Sequence, residues 1–136
     1  MIHHVRELAK VAPSERAEIG KFVDSFNDYL ELTVDDKEYI LIHAGLYGYD
    51  PRKHISEYST EDLVWHRLDY TKTYFKNKFL ITGHTMTSRI PRNPNPGKIF
   101  KGYGNIAIDC GACAPNGRLA CLRLEDWEEF YIEHVD

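Results

Sequence analysis

The sequence predicts an α/β chain of the α+β kind, with helices mainly in its first half and about six or seven strands overall. Three observations predict it. A helical apolar stripe runs from Pro13 to Leu30. Two short apolar runs, Tyr39-Ile40-Leu41-Ile42-His43-Ala44-Gly45-Leu46 and Phe79-Leu80-Ile81-Thr82-Gly83-His84-Thr85, each end in a histidine beside glycine. The last third consists of short strand-like runs broken by Pro, Asn and Gly.

Within the stripe, Ile19, Phe22, Val23, Phe26 and Leu30 follow i, i+3, i+4, i+7, i+11 spacing, with Glu15 and Glu18 toward the helix start. This is the long helix. Leu32-Thr33-Val34 and Glu38 to Ile42 then flank Asp35-Asp36-Lys37, which reads as a hairpin turn. Tyr47 to Ser59 reads as a loop, and Ser59-Thr60-Glu61-Asp62 offers a start for the short helix, which is expected to carry His66 and Arg67 near its end. Lys78 to Thr82 is a strand. Ile90 to Gly97 holds three prolines and can feed neither a sheet ladder nor a helix. Asn105 to Asp109, Arg118 to Leu124 and Glu129 to His134 are strands, with Pro115-Asn116-Gly117 turning between the first two.

At 136 residues the chain is most simply one domain. Its net charge of -4, with both signs interspersed, gives no electrostatic footprint for nucleic acid. The apolar runs fall far short of the roughly 20 residues that span a bilayer, and the N-terminus carries no signal-peptide core, so a cytoplasmic protein without a membrane partner is expected. Cys110, Cys113 and Cys121 do not make a secreted disulfide framework. Cys110-Gly111-Ala112-Cys113 has zinc or dithiol spacing without a second ligand pair, so small packed thiols are the simpler reading.

A strand-end histidine places a neutral imidazole at the rim of a sheet, where it can bind a first-row divalent metal. His43 and His84 are therefore the candidate metal ligands; a hydrogen-bonded structural histidine is the competing interpretation of each. A two-metal hydrolytic site also needs oxygen ligands. Asp50 and Asp109 could be proposed as improvised oxygen ligands. No Gly-Asp-x-His, Asp-Arg-Gly or Gly-Asn-His occurs in the chain. His3, His4, His54, His66 and His134 are expected to be surface or structural residues.

Four motifs in order carry a resemblance. They are His43-Ala44-Gly45-Leu46, Asp62-Leu63-Val64-Trp65-His66-Arg67, Ile81-Thr82-Gly83-His84-Thr85, and Ile106 to Ala112 followed by Gly117 to Leu124. Over roughly residues 14 to 124 the chain resembles the second half of the calcineurin-like metallophosphoesterases. Within them it is most similar to bacterial and phage serine/threonine protein phosphatases of the PPP type. The resemblance implies the later part of an α-β-β-α sandwich, mainly one mixed or antiparallel sheet with one long and one short helix. It implies His43 and His84 as ligands of one metal, manganese first with iron or zinc as alternatives, and Arg67 as a phosphate-binding residue. The general acid, the bridging aspartate and the other ligands belong to motifs that are missing here. Cys110 stands where the family usually has threonine, and Met86-Thr87 where it has proline.

The chain is thus expected to be the C-terminal part of a metal-dependent phosphoprotein phosphatase, acting on phosphate monoesters through its parent domain and inactive alone. Metal binding by the chain alone is expected to be weak or absent. An apolar face left open would be covered in a homodimer or by a complementing N-terminal half. The alternative is a non-catalytic interaction module that retains the fold with at most one weak metal site.

Overall fold

A computed structural model describes residues 10–133; His3, His4, His134 and the predicted end of the last strand lie outside the described residues. The architecture is α+β. Its elements are α1 (Pro13–Asp24), β1 (Tyr29–Val34), β2 (Lys37–Ile42), α2 (Thr60–Val64), β3 (Lys78–Thr82), β4 (Phe100–Gly102), β5 (Asn105–Ala107), β6 (Arg118–Leu122) and β7 (Glu129–Glu133), with short 3-10 turns at Ile55–Glu57 and Thr87–Arg89.

Five strands form a mixed sheet in the order β1-β2-β3-β5-β4; β6 and β7 form a separate pair. β1 and β2 are antiparallel around Asp35-Asp36, both in the left-handed region at φ 47° and 62°, as a two-residue hairpin requires. β2, β3 and β5 run parallel to one another, and β4 returns antiparallel on β5 through Tyr103-Gly104, also at positive φ. The unbroken apolar run of β2 follows from this position: a strand covered on both faces has no polar side to alternate with.

The side chains of the large sheet alternate between two cores. On one face Ile40, Ile42, Leu80 and Ala107 meet Leu46, Ile55, Tyr58, Leu63, Leu68 and Tyr70 from the crossover between β2 and β3. On the other, Tyr39, Ile81 and Ile106 pack with Ile99 and Cys110, and with Ala120, Leu122 and Tyr131 of the small sheet. Cys110 is therefore a packed thiol, which burial pushes above its ordinary pKa.

Two helices depart from expectation. α1 ends at Asp24 rather than Leu30: Ser25 takes the cap position, its Oγ donating to the Phe22 carbonyl at 2.6 Å, and Leu30 belongs to β1 instead. Its apolar stripe is uncovered, with Phe22 65% and Val23 53% exposed, and Phe26 just past the helix is 60% exposed. α2 starts at the predicted Ser59 cap, where Ser59 Oγ accepts from the Asp62 amide and Asp62 Oδ2 accepts from the Ser59 amide. It stops at Val64, so His66 and Arg67 lie beyond it. No helix among the described residues is long and apolar enough to cross a membrane.

Candidate functional site

Parallel pairing of β2 with β3 aligns Ile42 with Thr82, so the residues after each strand leave the sheet side by side. The Gly83 amide donates to the His43 carbonyl at 3.0 Å and extends the ladder past both strand ends. His43 and His84 are brought together by this register, with ring centroids 5.2 Å apart and planes at 62°. His43 is exposed and His84 half-buried.

His84 holds φ at +62°, a conformation a non-glycine residue adopts at a cost of about 1–3 kcal/mol. The surrounding backbone supports it. The Thr85 amide donates to the Gly83 carbonyl at 2.6 Å and the Thr87 amide to the Asp109 carbonyl at 2.8 Å. Burial lowers the His84 pKa below its ordinary 6.5, and the neighbouring His43 and Arg67 lower it further; Asp109 and a hydrogen bond to the Trp65 carbonyl oppose this. The outcome is a neutral imidazole at pH 7. One ring nitrogen is engaged by the Trp65 carbonyl.

Arg67 reaches the same rim by a backbone route. The amides of Ala44 and Gly45 both donate to the Leu63 carbonyl, at 2.9 and 3.3 Å, and tie the end of β2 to α2. Gly45 then lets the next segment pass against it: a Cβ there would stand 2.3 Å from the His66 carbonyl oxygen and 2.9 Å from the Leu68 nitrogen. Arg67 between them is exposed and forms no ion pair among the described residues. His66 turns aside and stacks on Tyr47, with centroids 3.9 Å apart.

The three predicted site residues are thus neighbours. Of the two aspartates weighed as oxygen ligands, Asp50 is paired with Arg52, and Asp109 Oδ1 accepts from the Gly111 amide at 2.9 Å. Among the described residues no cluster of three or more His, Cys, Asp or Glu side chains has metal-holding geometry. Arg89, Arg92 and Lys98 are exposed on the loop that follows. The role of Trp65 was not readable from sequence, because it acts through its carbonyl.

Beside His43 opens a groove of about 690 Å³, lined by Val23, Phe26, Leu30, Leu41 and Val64. It joins the uncovered stripe of α1 to the histidine rim. No protein-family model and no curated protein matches the chain.

Proposed function

We propose that the His43, His84 and Arg67 rim is one half of a metal-dependent phosphoesterase centre, of the kind that removes phosphate from serine or threonine in phosphoproteins. What supports this reading is the convergence of a neutral, carbonyl-oriented imidazole, a second imidazole and an arginine without an ion pair among the described residues, from three separate segments. A divalent ion, manganese by preference, would be held by His43 and His84. When bound it would supply positive charge to polarise a phosphoryl oxygen and acidify a water. Arg67 would grip two phosphate oxygens with its planar fork. Among the described residues no carboxylate joins the two histidines in a cluster of metal-holding geometry, so no turnover above background is expected without a complementing half.

A second reading, a non-catalytic interaction module, is favoured by the uncovered apolar stripe of α1. Calorimetric titration with manganese and with zinc separates the two. The phosphoesterase reading expects weak binding that His84→Ala removes, and phosphate binding to the loaded chain that Arg67→Ala removes. Binding unchanged by His43→Ala and His84→Ala would refute it.

A further inference from the structure

Beneath the rim lies a small buried group of hydroxyls. Thr82 closes β3 and is 1% exposed, and Thr85 follows His84 at 7%. The two threonines flank Gly83 and His84, the turn whose left-handed residue is His84. Tyr70, 4% exposed, enters from the crossover between β2 and β3, and its Oη lies 2.7 Å from Thr82 Oγ1. Thr85 Oγ1 is buried without a formed hydrogen bond, and the polar group it acts on is the same Tyr70 hydroxyl. A phenolic hydroxyl has one proton to give and lone pairs to accept with, so one tyrosine can serve both threonines. Burial pushes the Tyr70 pKa above its ordinary 10, and the proton stays on the oxygen at pH 7.

The segment that brings Tyr70 is tied to His84 at its other end as well, where the Trp65 carbonyl engages the imidazole. Between these ties Leu68 and Tyr70 are buried while Arg67 and Asp69 are exposed, the alternation of an extended strap with one side on the core. Arg67 is thus carried on a strap whose two ends both bear on the His84 turn. The Tyr70 ring is fixed independently of its oxygen: it packs edge-on to Phe100, with centroids 5.6 Å apart, in the core that holds Ile42, Leu46 and Leu80. The hydroxyl is not needed to fill space there, and burying it is unfavourable unless it is paired.

We propose that Tyr70 is a positioning residue of the rim. Its hydroxyl holds Thr82 and reaches Thr85, and so keeps the left-handed turn that presents His84 in register with the strap that presents Arg67. The backbone bonds from Thr85 and Thr87 shape the turn itself. The Tyr70 hydroxyl is the side-chain bond that ties the turn to the strap. What the rim holds rests on the phosphoesterase reading; the coupling of turn to strap rests on the geometry alone.

The test compares wild type with Tyr70→Phe and with the double variant Tyr70→Phe, Thr82→Val, each in the whole chain. Tyr70→Phe strips one oxygen and leaves Thr82 Oγ1 buried without its partner. The double variant removes both oxygens and should recover most of the lost thermal stability. A merely structural bond would let the rim recover with it. A positioning role would not: the nuclear Overhauser contact between the His43 and His84 rings, whose centroids stand 5.2 Å apart, should be lost in both variants, with the His84 ring signals displaced. Zinc binding by calorimetry should weaken at least about tenfold in both. Should Tyr70→Phe fail to fold, the double variant decides alone. A ring contact and His84 signals that match wild type in the double variant would overturn the proposal. Loss of the ring contact on mutation of a chain that binds no zinc as wild type would count against the phosphoesterase reading and support this one.

Discussion

Gly45→Ala tests how Arg67 is delivered to the histidines. The added Cβ would sit 2.3 Å from the His66 carbonyl oxygen and 3.1 Å from the Arg67 carbonyl carbon, both backbone atoms that no rotamer change can withdraw. Restoring a contact of about 3.4 Å requires a shift of about 1.1 Å in the 66–68 segment. Overpacking of this kind costs about 1–3 kcal/mol. For a domain of this size about 3 to 5 °C of Tm corresponds to each kcal/mol, so the melting temperature should fall by about 3–15 °C. The shift also pulls on Trp65, whose carbonyl holds the His84 ring, so the His84 imidazole resonances should move. Gly20→Ala is the control. It sits inside α1 with nothing within 4 Å of a new Cβ, and should stabilise by about 0.5–1 kcal/mol through helix propensity. A Gly45→Ala melt within about 1 °C of wild type, with unmoved His84 signals, would refute the reasoning.

Leu63→Ala empties a fully buried position between α2 and the sheet and should cost about 2–5 kcal/mol in urea unfolding. Asp69 and Asp126 are both held down at about 2, Asp69 by hydrogen bonds from Thr71 and then Lys72, Asp126 by Arg123. Their folded pKa values lie below the ordinary 3.8, so their stabilisation is present above 3.8 and disappears as pH falls toward 2; carboxyl titration by NMR and urea melts across that window check it. The His84 pKa is depressed, so the unfolded chain takes the proton first and stability should decline as pH drops below 6.5. An imidazole titration midpoint at or above 6.5, or one that Arg67→Ala does not raise, would contradict that account.

Much of the sheet was legible because its signals are local. β3 runs over the predicted Lys78–Thr82, and the Asp35-Asp36 turn and the Ser59 cap fall where their side-chain chemistry places them. β4 was not legible: three residues between a proline-rich loop and Tyr103-Gly104 carry too short a pattern, and β5 supplies the pairing that makes them a strand. Leu30 fits a helical stripe and a strand equally well; pairing with Leu41 decides between them. The periodicity of α1 identified its apolar face, yet no pattern within a helix states what covers that face. At the site, the two histidines could be read from the ends of their apolar runs. The path of Arg67 could not, since it depends on a close approach between Gly45 and a backbone more than 20 residues on.

Parallel neighbours cannot be joined by a tight turn, so the stretch from His43 to Asn77 must wrap around and pack before β3 can dock beside β2. His43 and His84 stand on either side of that closure. They become neighbours only when the slowest, least local pairing of the large sheet has formed. An ion that spans both rings would thus bind the completed sheet and not its unfolded chain. Each tenfold of free ion above Kd would add about 1.4 kcal/mol to global stability. Bound there, such an ion would act as a clasp on the crossover, its binding energy added to the closure of the whole sheet.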